Sequence, residues 1–130
     1  MTKTERALVL IGHGSRKPDH RTVLDEMAGL LRAEFPGFRV EVAFMSLCEP
    51  SLEGVIQELV QEGAREITVL PCFLFRGVHV TEDIPKMLDD LRQAYPLVRF
   101  FLAEGLGDPK HLGSIAKERC LEAWSENARS

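Results

Sequence analysis

Long apolar runs, paired cysteines and an excess of basic charge are all missing from this chain, and each absence removes a class of protein. The longest apolar stretch, around Val69 to Phe75, is interrupted by Pro71. It falls far short of the ~20 residues that a membrane helix needs. The opening residues Met1 to Arg6 are polar and charged, so no signal peptide is expected. Three cysteines (Cys48, Cys72 and Cys120) form no CxxC and cannot all pair internally, which fits a reducing cytosol better than secretion. A net charge of -4 argues against a general nucleic-acid binder. Any anionic ligand must find a local basic patch. The expectation is a soluble, cytoplasmic protein with neither nucleic acid nor membrane as partner.

What remains is ordinary globular chemistry. The chain has 130 residues, 45% hydrophobic and 28% charged, and shows no low-complexity break, so one domain spanning 1–130 is expected.

The apolar pattern alternates between two periods. Ala7 to Ile11 is a short continuous run ending at Gly12, the mark of a strand buried on both faces. Asp19 to Phe35 then carries Val23, Leu24, Met27, Leu30, Leu31 and Phe35 at helical spacing, and Pro36-Gly37 stops it. Phe38 to Met45 reads as a second strand. A second helix follows Pro50-Ser51 through Leu52, Val55, Ile56, Leu59 and Val60, and Gly63 ends it. The unit repeats: a strand over Glu66 to Phe73, a helix over Thr81 to Tyr95 with Ile84, Met87, Leu88 and Leu91 inward, and a strand over Leu97 to Ala103. A final helix runs from Asp108 to about Glu126 through Leu112, Ile115, Ala116, Cys120 and Trp124.

Such a βαβαβαβα string predicts an α/β fold. Parallel strands need crossover connections, and right-handed crossovers make a doubly wound, flavodoxin-like four-stranded parallel sheet with helices on both faces. Ligands of such sheets bind beyond the carboxyl ends of the strands. The loops there are Gly12 to Pro18, Ser46 to Ser51 and Leu74 to Thr81.

Those loops hold most of the chemistry. The first reads Gly12-His13-Gly14-Ser15-Arg16-Lys17, with glycines that allow close approach of a ligand. It contains neither a phosphate-binding glycine pattern nor the RHG of histidine phosphatases. Alone, His13 is a turn residue, packed or solvated. The third loop, Leu74-Phe75-Arg76-Gly77-Val78-His79, places a second histidine near a glycine on what should be a neighbouring strand. Two imidazoles at one edge change the weighing, because imidazole is a common ligand of divalent transition metals. The cysteine spacing of a closed structural zinc site is absent, so a transient metal site with room for an outside ligand fits better.

The second loop supplies Glu49, which reads as a metal ligand, a proton acceptor or a carboxylate favoured before a helix N-terminus. Arg16, Lys17 and Arg76 individually read as solvated surface, but their clustering beside the histidines is what an acidic ligand requires. His20 and His111 read as surface residues.

Taken in order, Leu10-Ile-Gly-His-Gly-Ser-Arg16, Glu49-Pro50-Ser51, Gly63-Ala64, Pro71 and Phe73-Leu-Phe-x-Gly77-x-His79-x-x-x-Asp83-Ile-Pro85 resemble the small, single-domain sirohydrochlorin cobaltochelatases. These are ATP-independent class II tetrapyrrole chelatases. The resemblance implies a doubly wound fold and insertion of Co²⁺ into sirohydrochlorin on the anaerobic cobalamin route, with related members inserting iron or nickel. It implies His13 as metal ligand and proton acceptor and His79 as second metal ligand. It further implies Glu49 and the stretch Leu74, Phe75, Arg76, Gly77, Val78 and His79 as substrate-binding; for the substrate's carboxylates, Arg16, Lys17 and Arg76 are the available counter-charges. No cofactor beyond the substrate metal ion is called for, and the short members of the family pair as homodimers. The family pattern F-x-E-x-x-E-P appears here as Phe44-x-Ser46-x-x-Glu49-Pro50, which leaves that loop one carboxylate fewer.

Overall fold

A computed structural model describes residues 5–14, 18–45, 48–73 and 78–129, of which 18–20, 78–81 and 126–129 are described for their backbone alone. The elements alternate as expected: β1 Arg6–Gly12, α1 Pro18–Glu34, β2 Phe38–Phe44, α2 Leu52–Gln61, β3 Glu66–Pro71, α3 Val78–Ala94, β4 Arg99–Leu102 and α4 Pro109–Arg129. The four strands form one parallel sheet in the order β2-β1-β3-β4. β1 lies between β2 and β3, pairing Leu10 with both Val42 and Leu70. That central position explains its unbroken apolar run, since side chains on both faces are covered.

The two faces bury separate clusters. Val9, Ile11, Ile67 and Val69 face Leu52 and Ile56 of α2 and Ile84 and Leu88 of α3. On the other face, Leu10, Val40, Val42 and Phe44 pack against Leu24 and Ala28 of α1. Of the residues that helical periodicity turns inward in α2 and α3, Leu52, Val55, Ile56, Leu59, Ile84, Leu88 and Leu91 are buried, while Val60 and Met87 are half-buried. At α2, Ser51 caps the helix by accepting a hydrogen bond from Gly54 N–H at 3.1 Å.

Several expectations differ from the structure: β2 ends at Phe44 rather than Met45, β3 at Pro71 rather than Phe73, and β4 spans only Arg99–Leu102. Val23 and Leu30 of α1, and Phe35 just beyond its end, are exposed, although they sit at helical apolar spacing. The sheet beneath α1 offers only β1 and β2, so its buried stripe narrows to Leu24 and Ala28, with Met27 and Leu31 half-buried. The third helix begins at Val78 rather than Thr81, because its backbone is already helical through Val78, His79 and Val80 despite their β-branched neighbours. Finally, α4 buries no side chain over residues 109–125, and Trp124 is 64% exposed. On the adjoining edge strand Phe101 is 44% exposed, and Leu102 is exposed beside it. Among the described residues, no helix is long and apolar enough to cross a membrane.

Candidate active site

At the carboxyl end of β1 the chain turns through Gly12-His13-Gly14. At Gly12 a Cβ would meet Leu24 Cδ1 at 2.7 Å, so that the leucine side chain would have to shift, and would touch the Phe44 ring at 3.4 Å. Gly14 has a φ of 96°, in the left-handed region that side chains disfavour. Between them His13 stands exposed at the strand end, its ring centroid 4.0 Å from that of Phe73 and tilted by 49°.

Phe73 reaches that position because β3 runs beside β1. Cys72 N–H donates to Ile11 O at 2.8 Å, carrying the paired register one step beyond the strand. The loop after β3 and the first turn of α3, which contains His79, therefore start from the strand next to the one that delivers His13. The His79 side chain lies outside the described residues, as does that of Val78. Arg16, Lys17, Ser46, Leu74, Phe75, Arg76 and Gly77 lie outside them entirely.

A cleft of about 1140 Å³ opens at this edge. The strand ends line it with Gly12, His13, Phe44, Cys72 and Phe73; α1 contributes Val23, Leu24 and Met27, and α4 contributes Leu112 and Ile115. The volume exceeds the ~300–1,000 Å³ common for small-ligand clefts, and the walls are mainly apolar. That combination suits a large ligand with an apolar face. Val23 is 58% exposed because it looks into this opening rather than onto the sheet.

The polar groups are few. Burial pushes the Cys72 thiol up to about 12, so it stays protonated, with Sγ 3.5 Å from Leu70 O. It offers the cleft no thiolate. Glu104, beyond β4, and the pair Asp108 and His111 at the start of α4 complete the rim. Asp108 caps α4, accepting from the backbone N–H of Lys110 at 3.0 Å and of His111 at 3.2 Å. Its second oxygen meets His111 Nδ1, and that hydrogen bond holds its carboxyl below the usual carboxylate range. Among the described residues, no group of three or more His, Cys, Asp or Glu is gathered for a metal ion.

Glu49 is exposed and is not among the cleft-lining residues. Its backbone carbonyl accepts from Arg21 Nη1 at 2.7 Å, and the guanidinium of Arg21 also lies 5.7 Å from the Phe44 ring centroid. The sequence reading missed Arg21 because one basic residue on a helix surface carries no signal of its own. His111 was read as surface, and its side chain is indeed 79% exposed, yet it lines the cleft. The available signal was Asp108-Pro109-x-His111, a capping carboxylate three residues before an imidazole.

Sheet order, strand-end histidine and apolar cleft define a class: a parallel α/β domain with a mainly apolar cleft beyond the carboxyl ends of its central strands. Within that class the chain belongs to the CbiX family, whose model matches residues 7–123. It is 44% identical over 82 residues to a sirohydrochlorin cobaltochelatase of Methanopyrus kandleri, covering 63% of this chain and 57% of that protein. The chain thus spans little more than half the length of that relative. A sirohydrochlorin cobaltochelatase of Sulfurisphaera tokodaii is 31% identical over 123 residues, 95% of this chain and 98% of that protein. The crystal structure of a CbiX protein from Marinobacter aquaeolei VT8 superposes with a TM-score of 0.78 at 28% identity, over 96% of this chain and 99% of that one.

Proposed function

We propose that this protein is a single-domain chelatase that inserts Co²⁺ into sirohydrochlorin without ATP. The observation that carries the reading is His13: an exposed imidazole held between two glycines and lining a mainly apolar cleft of about 1140 Å³. Its support from kinship is the match to the Sulfurisphaera tokodaii protein along nearly its whole length.

Metallating a free-base tetrapyrrole means removing two pyrrole protons and stripping water from the metal. A loose site of two imidazoles, His13 and His79, presents the cation and still releases it to the macrocycle, which a closed four-ligand site would not. The cation is substrate here, not a resident cofactor. Phe73 and the aliphatic wall face the ring, while Arg16, Lys17, Arg76 and backbone N–H groups at nearby helix starts receive its carboxylates. The family resemblance assigns Leu74, Phe75, Gly77, Val78 and Glu49 to substrate binding as well, although Glu49 is not among the residues that line the cleft.

The exposed apolar residues of β4 and α4 support a homodimer, in which Phe101 and Trp124 would be covered by a second copy. Three free thiols support residence in a reducing compartment, the cytoplasm.

The test is spectroscopic: purified protein, sirohydrochlorin and Co²⁺, Fe²⁺ or Ni²⁺ in turn. Turnover fastest with Co²⁺ is the expected result. Preference for Fe²⁺ or Ni²⁺ would replace the cobalt assignment with a ferro- or nickelochelatase, and binding without turnover would make the protein a carrier.

A further inference from the structure

The proton budget of metal insertion leaves a gap that His13 cannot fill alone. A ring nitrogen that ligands the metal has no lone pair for a pyrrole proton. A second acceptor must look into the same cleft, and α4 supplies one. We infer that His111, oriented by Asp108, accepts the pyrrole protons during metal insertion, an assignment that rests on the chelatase reading given above.

Four features support it. His111 and Asp108 both line the cleft that His13 lines. The Asp108 carboxylate engages His111 Nδ1, which fixes the neutral ring as the Nδ1–H tautomer and leaves Nε2 as the acceptor. Nε2 has no hydrogen-bond partner among the described residues. The backbone is anchored as well: Asp108 caps α4 and Pro109 opens it, so the imidazole rides on the first turn of a helix rather than on a free loop.

The chemistry balances without a co-reactant. A pyrrole N–H bond breaks, its electron pair passes to the metal, and the proton forms an N–H bond at His111 Nε2. The resulting imidazolium faces the ionised Asp108, whose carboxyl is held below its usual range and so stays negative at neutral pH. An imidazole as exposed as this one returns the proton to water and is ready for the second. Nothing is oxidised or reduced. The same carboxylate–imidazole arrangement orients a general base in many hydrolases, where the acid positions and the ring transfers.

Capping alone would explain Asp108 but not His111, so the experiment must separate the two. His111→Gln removes the acceptor and leaves the cap. Asp108→Ser keeps a side-chain oxygen for the cap and removes the carboxylate. In the sirohydrochlorin–Co²⁺ assay, His111→Gln should lower kcat by about 100-fold with KM for metal and tetrapyrrole within about twofold, as loss of a general base does. Asp108→Ser should lower kcat in the same direction without loss of helix content. Ring ¹⁵N spectra of the neutral wild-type protein should show His111 as the Nδ1–H tautomer, and Asp108→Ser should lose that preference. An unchanged kcat in His111→Gln, or an Nε2–H tautomer in the wild type, overturns the assignment. If the wild-type protein turns over and His111→Gln equals it, only this inference falls. If the wild type does not turn over, the chelatase reading falls first and takes this one with it.

Discussion

The imidazole of His13 and the ring of Phe73 meet at 4.0 Å between centroids, one leaving β1 and the other leaving β3. Phe73 is 5% exposed, so it is at once a core residue of the α2–α3 side and a wall of the cleft. Phe73→Ala should therefore cost about 3–5 kcal/mol, as large aromatic truncations in cores do, read by urea unfolding. Phe73→Leu keeps most of the volume and should cost less than about 1.5 kcal/mol. It should still lower kcat, because the ring that sets His13 is gone.

His13 makes the opposite case. It is exposed, so His13→Ala should change unfolding free energy by no more than about 0.5 kcal/mol. The same substitution should abolish chelation and Co²⁺ binding by titration calorimetry. His79→Ala should do the same to chelation. Wild-type rates in either variant would remove that imidazole from the metal site.

Gly14 holds a φ of 96°, and a Cβ makes that conformation costly. Gly14→Ala should destabilise the protein by about 1–2 kcal/mol, measured by thermal or denaturant unfolding. Because the residue adjoins His13, relaxation of the strained turn should also move the imidazole, lowering kcat. A stability equal to wild type would show that the turn can be made with an ordinary residue.

The exposed apolar surface of α4 predicts self-association. Leu121 is 49% exposed and Trp124 64%. The wild-type protein should sediment as a dimer and a Leu121→Glu/Trp124→Glu double variant as a monomer, since two charges in a buried interface core would lack partners. Equal sedimentation of the two proteins, whether as monomer or dimer, would exclude this surface as the interface.

Element type was legible because the apolar periods are long and separated by strong stops. Pro36-Gly37 and Gly63 close helices, and the run Ala7 to Ile11 can only be a strand covered on both sides. Element ends were less legible. α3 starts at Val78 where side-chain type favours a later start, since propensity is weak against a helix already anchored on its inward face by Ile84 and Leu88. Of the candidate site, the position of His13 was legible, because the glycines on either side of it mark the end of a strand. Asp108 and His111 escaped because their meaning depends on what lies across the cleft, and no spacing along the chain encodes that.

The amino-acid order by itself determined the alternation of strands and helices, the parallel sheet it implies, and the delivery of His13 to the carboxyl edge. Those follow from local periodicity and from the geometry of crossover connections. Tertiary structure decided the rest: that α1 covers β1 and β2 with a narrow stripe, that α4 stands apart with its apolar side chains exposed, and that the space between them is a cleft. The reason is physical. Periodicity says which side of a helix is apolar, but whether that side meets the sheet, a ligand or a second molecule depends on the surface that four strands leave available to cover.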